Sequence, residues 1–408
     1  MTRVVLCLLL LSGMTPGLAL ASSLSLSQAI EAAFSANPDL AAARQETAIA
    51  EGDRQQAGLI PNPVVSWEVE DTRRNTGTTT VMLSQELELG GKRGARIEVA
   101  RRGQDVARLE LERRGNELRA QVIQAFYGAA RSDAGLDLAQ QSRALAERGL
   151  VVAEGRVRAG KSSPVEATRA QVQLAETDLL VRRAQTLKAN NYRELARVTG
   201  AVTQSFDRLQ YADLSAGTLP SATRLLSAIN QTAQLRLAQA LIEQREAASG
   251  SERAQRIPNL TVSVGSQYSR EERDRVNVVG LSMPIPLFNS NQGNVLAASR
   301  RADQARDLRN ALELRLRTQT RSALDQWASA ARDVASFHEL ILPTAQRAVD
   351  AATRGFEMGK FGFLEVLDAQ RTLIAVRSQY LESLATATEA RVTVEGIYGD
   401  LDRFTAQP

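Results

Sequence analysis

The chain is written twice, and this limits what it can fold into more than any other feature. Ile60-Pro61-Asn62 returns as Ile257-Pro258-Asn259, and Leu83-Ser84 returns as Leu281-Ser282. Arg158-Ala159-Gly160-Lys161, with Glu166 and Gln171 behind it, returns as Glu357-Met358-Gly359-Lys360, with Glu365 and Gln370 behind it. The offsets drift slowly through 197, 198 and 199. Composition alone does not preserve order and spacing over such distances, so the reading is an internal duplication. It predicts a first repeat over 22–202, a connector over 203–220, a second repeat over 221–399 and a short tail over 400–408.

Each half reads as helix, two strands, then long helices. In the first half an Ala-rich helical stretch runs from Ser27, its expected N-cap, to Gly58, where Pro61 and Pro63 end it. Val65, Trp67 and Val69 then alternate with Ser66, Glu68 and Glu70, a period of two that specifies a strand with one apolar face. After a turn by composition at Arg73 to Gly77, Val81, Leu83 and Leu87 alternate with Met82, Ser84 and Glu86. The second half repeats the pattern. Leu260, Val262, Val264 and Tyr268 face one way, and a charged turn at Arg270 to Arg275 precedes Val279, Leu281, Met283 and Ile285.

Strands of this length match the roughly 9 to 11 residues that a tilted transmembrane strand needs. Ordinary hairpins on a soluble domain are the competing reading of the strands taken alone. Four strands cannot close a barrel, and open edges are not tolerated in lipid, so a spanning chain has to oligomerise. Two copies supply eight strands, too narrow for an aqueous channel. Three supply twelve and a usable lumen.

The remaining length is helical, in two long hairpins. Leu111, Leu118 and Ala125 recur at seven, as do Leu174 and Val181, while Leu308, Leu312, Leu316, Leu324, Trp327, Ala331 and Val334 mark a seam on the later helices. Aromatics are only 4 %, so these seams are packed largely with small side chains and the helices approach closely. A run such as Ser163 to Thr199 would be about 50 to 60 Å long, which suits a tube better than a compact core. The hairpins reverse at Gly160-Lys161 and at Gly359-Lys360, where glycine admits a left-handed cap. Ser163 is the expected cap of one outgoing helix, with Pro164 at its first position. Phe361 and Phe363, two phenylalanines in the second turn, predict an exposed surface that docks a partner. Glu365 and Asp368 follow, three apart on one helix face. In a threefold assembly they would form a ring of six acids, against the simpler reading of two solvated acids near a helix N-terminus.

The first 21 residues have the layout of a secretory signal: Met1 to Arg3 as the basic start, an apolar run from Val4 to Leu11, and the small-residue site Ala19-Leu20-Ala21. That run falls short of the roughly 20 residues a membrane helix needs. Cys7, the chain's single cysteine, lies inside it, so the mature chain is expected to carry no thiol. Basic and acidic residues interleave to a net charge of +4, which leaves no concentrated basic patch for nucleic acid. His338 is the only histidine, and neither a phosphate-binding glycine loop nor a zinc signature is present, so no catalysis, cofactor or metal site is expected.

Together these segments resemble the TolC-type outer-membrane efflux family across essentially the whole mature chain. Gly58-Leu59-Ile60-Pro61-Asn62-Pro63 and Glu88-Leu89-Gly90-Gly91-Lys92-Arg93 place the resemblance closest to the outer-membrane component of cobalt-zinc-cadmium resistance pumps. The resemblance implies a mainly α chain with membrane β-structure: a homotrimer with a twelve-stranded barrel in the outer membrane and a long α-helical barrel through the periplasm. It further implies tips that meet a periplasmic adaptor and, through it, an inner-membrane pump of the resistance-nodulation-division type. Carried over residue by residue, Glu365 and Asp368 take the role of a periplasmic gate. Phe356 and Phe361 stand where family members can hold hydrogen-bonding latch residues. Two other readings remain at this point: the same fold exporting drugs or proteins, and a periplasmic coiled-coil protein without a pore.

Overall fold

The computed structural model describes residues 23–73, 75–201, 208–210 and 215–405. The expected signal segment, Arg74 and half of the expected connector lie outside the described residues. The chain begins with β1 (Ser23–Ser25), which pairs in parallel with β4 (Arg208–Gln210). Helix α1 (Leu26–Ala36) follows at once. Its cap is Ser25 and not Ser27: Ser25 Oγ accepts from the Gln28 N–H while Gln28 Oε1 accepts from the Ser25 N–H. Only a residue three before a glutamine closes this reciprocal pair. The Ala-rich stretch is also divided. Pro38 disfavours helix at the residue before it, so Asn37 turns extended and its side chain caps α2 (Pro38–Ala57) by accepting from the Asp39 and Leu40 N–H groups.

Strands β2 (Val64–Glu70), β3 (Thr78–Leu87), β5 (Leu260–Ser269) and β6 (Asp274–Ser282) form one antiparallel sheet in the order β2-β3-β5-β6. The repeats therefore meet at the centre of the sheet, while β2 and β6 lie at its edges. The register puts Val65, Leu83, Val264 and Val279 in one row, on a face that also carries Trp67, Val69, Val81, Val262, Tyr268 and Leu281, while Val276 and Val278 of β6 lie on the other face. Two boundaries differ from expectation. Asp274 and Arg275 belong to β6 and not to the turn, and Met283 and Ile285 lie beyond its end. Pro284 and Pro286 explain the second difference, because a residue without an N–H cannot extend a ladder.

Below the sheet run the rods. Helix α3 (Lys92–Arg158) has 67 residues, about 100 Å at 1.5 Å per residue, and reverses into α4 (Pro164–Val198). In the second half α5 (Ala222–Ser227) and α6 (Ala233–Ala254) precede the sheet. After it come α7 (Gln292–Ser336), a π-helical turn at Phe337–Ile341 and α8 (Leu342–Glu357), which reverses into α9 (Phe363–Tyr398). The rod Gln292–Glu357 matches α3 in length to within one residue, so the duplication survives the π turn. Pro343 accounts for that turn. It cannot donate to the previous helical turn, and the Leu342 N–H reaches back to the Phe337 carbonyl instead.

The seam on α3 extends the expected spacing: Leu118, Ala125, Ser132, Ala139, Ala146 and Ala153 are buried, each seven residues after the last. A strict seven-residue period in small side chains specifies closely approaching, supercoiled helices. On the tip-proximal half of α4 Ala170, Gln173 and Thr177 are buried, with Leu174 and Val181 only half-buried beside them, and at its other end Tyr192, Leu195, Ala196 and Val198 are buried. Leu308 of the expected α7 seam is exposed, while Leu316, Leu324, Trp327 and Val334 are buried. Each half has its own core where the rods cross the shorter helices. One surrounds Phe126, Tyr192 and Leu195, and the other Trp327, Tyr398 and Val394. A third core sits at the tips, around Phe356, Phe363 and Leu367.

Candidate functional site

The sheet offers two unlike faces. Trp67, Val279 and Leu281 on the apolar face are 70, 73 and 72 % exposed in a single chain, an exposure that only lipid or another chain can relieve. The other face carries Ser66, Glu68, Ser84, Glu86, Ser263 and Gln267, with Ser84 and Ser263 hydrogen-bonded to each other at 2.9 Å. Such a face suits water. Among the described residues no helix is long and apolar enough to cross a membrane.

Where the sheet joins the rods, the Glu88 to Arg93 segment is a mechanical joint. Arg93 Nε donates to the Gly58 carbonyl, and Arg96 donates to the Ala57 and Leu59 carbonyls, so arginines cap the end of α2. Arg96 also forms a two-pronged ion pair with Glu88 and holds the Glu88 carboxyl below its ordinary range through that hydrogen bond.

The tips are the second site. Gly160 (φ +70°) and Gly359 (φ +73°) adopt the left-handed conformation the spacing predicts. In each tip the following lysine N–H reaches the helix five residues back, Lys161 to Arg156 and Lys360 to Gly355, and the glycine N–H bonds three residues back. Ser163 caps α4 by accepting from the Val165 N–H, with Pro164 behind it. Gly160, Lys161, Gly359 and Lys360 are exposed.

The structure separates the two phenylalanines. Phe361 is about half exposed and its ring lies on Gly355. Phe363 is buried, against the expectation of a docking residue: it packs on Phe356 with ring centroids 5.4 Å apart and on Gly149 of α3. The reason is helical phase. Phe363, Val366, Leu367 and Gln370 share the packed face of α9, whereas Glu365 and Asp368 point away from it and are exposed. The Glu365 carboxylate folds back towards Gly362 at the start of α9, where the helix dipole favours it.

Sequence reasoning missed Arg156. Its Nη1 donates to the Phe356 carbonyl at 3.1 Å, its Nε to Ser162 Oγ at 3.1 Å, and its guanidinium lies 4.7 Å from the centroid of the Phe356 ring. One side chain thus binds the two hairpins at their tips. Its place in the last turn of α3 was a visible signal, as was Gly355, a glycine inside a helix. His338 is exposed on the π turn, and among the described residues no three His, Cys, Asp or Glu side chains converge.

A family model described as "Outer membrane efflux protein" matches this chain twice, over residues 29–201 and 225–400. The chain belongs to the outer membrane efflux protein family. The double match shows the duplication directly. A relative from Cupriavidus metallidurans, the cobalt-zinc-cadmium resistance protein CzcC, is 35 % identical over 93 % of this chain and 91 % of its own. The nickel-cobalt-cadmium resistance protein NccC of Alcaligenes xylosoxydans is 27 % identical over 61 % of this chain and 56 % of its own. Among solved structures, CusC superposes with a TM-score of 0.77 at 18 % identity over 92 % of both chains. The outer-membrane channel OprN does so with a TM-score of 0.77 at 18 % identity, over 92 % of this chain and 90 % of its own. These likenesses carry the fold, a helical barrel continued by strands of a β-barrel. As a family member the protein is an outer-membrane channel reaching into the periplasm, and the reading as a pore-free coiled coil falls.

Proposed function

We propose that the protein assembles as a homotrimer and is the exit duct for heavy-metal cations in a tripartite efflux system. The observation that carries the assembly is the sheet: one face apolar and exposed, the other polar, with β2 and β6 at open edges. Three copies join these edges into a closed twelve-stranded wall with lipid outside and water inside. The cargo reading is supported by the identity to a protein named for cobalt, zinc and cadmium resistance. Selection among metals then falls to the pump, since a passive duct needs only a wet, wide path.

At the far end Glu365 and Asp368 from three copies ring the aperture and form the gate. The exposed tips Gly160, Lys161, Gly359, Lys360 and Phe361 meet a periplasmic adaptor, which couples the duct to an inner-membrane pump of the resistance-nodulation-division type. Phe363 has no part in this surface and instead stiffens the tip from inside.

The test is growth of a deletion strain on zinc, cobalt, cadmium, nickel, copper and silver salts beside dyes and antibiotics, complemented by wild type or by Glu365→Ala/Asp368→Ala. Selective metal sensitivity rescued by wild type, with added leakiness to antibiotics in the variant, is the expected result. Normal metal tolerance with dye and antibiotic sensitivity would overturn the cargo and leave an organic-solute duct of the same fold.

A further inference from the structure

The exposed apolar residues do not stop with the strands. Beyond β6, Ile285, Leu287 and Phe288 are 75, 76 and 93 % exposed, and before β2, Leu59 and Ile60 are also open to solvent. Neither segment can prolong the sheet, because Pro284 and Pro286 in one and Pro61 and Pro63 in the other lack N–H donors. Side-chain contact is what remains to them.

The chain contains a template for that contact. At the centre of the sheet the exit of β3 lies against the entry of β5. Gly90 packs so closely on Ile257 that a Cβ there would sit 2.8 Å from the Ile257 Cβ. Lys92 Nζ donates to Asn259 Oδ1, and Asn259 Nδ2 donates to Glu86 Oε1 at 2.6 Å. By the duplication, Ile257-Pro258-Asn259 corresponds to Ile60-Pro61-Asn62, and the exit of β3 corresponds to the exit of β6. Within one chain these second partners lie at opposite edges of the sheet and do not meet.

Strand direction says where they would meet. Neighbours alternate in direction across β2-β3-β5-β6, so β6 of one copy runs antiparallel to β2 of the next when the edges join. The end of β6 then lies beside the start of β2. We propose that Met283–Phe288 of each copy seats on Leu59–Val64 of the next, repeating between copies the Gly90–Ile257 contact made within each. Its occupant is a second copy of this chain, and its role is to seal the joint where the strand wall passes into the rods. This rests on the trimeric reading above.

Cysteine pairing separates the two. With Cys7 replaced by alanine, Ile60→Cys and Leu287→Cys are combined in one chain, and membranes are treated with a short bis-maleimide. Oligomeric state is measured separately on the untreated protein by light scattering in detergent. The expected result is a trimer whose subunits become covalently linked as a ladder of dimer and trimer, with neither single variant linking. A trimer that does not link would overturn the contact while leaving the trimer standing. Strong quenching of a fluorophore at Phe288→Cys by brominated lipid would overturn it in favour of a lipid-facing segment. Absence of any trimer would remove the assembly and this contact together. Independently, Phe288→Asp is expected to shift the equilibrium roughly tenfold or more towards monomer with helical content unchanged; an unchanged equilibrium would count against the contact.

Discussion

Arg156 and Phe356, 200 residues apart in sequence, form a single clamp: the guanidinium lies over the phenylalanine ring and donates to the same residue's carbonyl. The clamp joins the end of α3 to the end of α8 just above the exposed tips. Arg156→Ala removes one hydrogen bond to each hairpin and a cation–π contact, together about 1–2 kcal/mol. The expected outcome is a looser closed state, read as higher uptake of a large antibiotic and higher resting conductance in planar bilayers. Arg156→Lys keeps the charge without the planar fork and should fall between the two. Unchanged conductance in Arg156→Ala would show that the clamp does not restrain the aperture.

The two faces of the sheet should respond differently to charge. Val279→Arg places a cation on the apolar face and should cost about 2–4 kcal/mol near the bilayer centre, sharply lowering the amount of folded protein in the outer membrane. Gln267→Arg on the polar face should leave that amount near wild type. Quantitative blotting of outer-membrane fractions compares them, and equal levels for the two variants would count against the assignment of faces.

Trp327 anchors the core of the second half. It is buried, and its Nε1 donates to the Ala216 carbonyl at 2.5 Å. Trp327→Ala should destabilise by about 3–5 kcal/mol through the cavity and the orphaned carbonyl. The check is a lower melting temperature in detergent, with the fluorescence of Trp67, the only other tryptophan, as an internal reference for the sheet.

Acid should weaken the rods through their carboxylates. A hydrogen bond from Arg101, helped by Arg102, holds the Glu98 carboxyl down to about 2 from its ordinary 4.5, partial desolvation opposing. The folded state therefore binds fewer protons than the unfolded one in that window. The contribution is complete above about pH 4.5 and is lost as pH falls towards 2. The pair lies at the surface, so it is worth no more than about 1 kcal/mol. Glu98→Gln should narrow the gap between melting temperatures at pH 7 and pH 3, and an unchanged gap would exclude this pair as a contributor.

Much of the architecture was legible because it is local or periodic. Alternation placed β2, β3, β5 and β6, and the glycines at 160 and 359 announced the reversals, since only glycine takes those angles cheaply. Leu118 and Ala125 marked a seam that continues for four further seven-residue steps, to Ala153. Smaller features went astray for identifiable reasons. Ser25 and Ser27 both look like caps, and only the reach of Gln28 chooses between them. Pro38 and Pro343 were visible, yet one divides two helices and the other is absorbed by a π turn.

Sequence by itself determined the duplication, the two-faced strands, the length of the rods and the position of their turns, because each follows from spacing along one chain. The tertiary structure alone decided that Phe363 is core and not surface, that Arg156 binds one hairpin to the other, and that β2 and β6 are left open at opposite edges of one sheet. These depend on which residues separated by about 200 positions come to lie side by side. No local period encodes that, because it is set by the phase in which four long helices and four strands pack together.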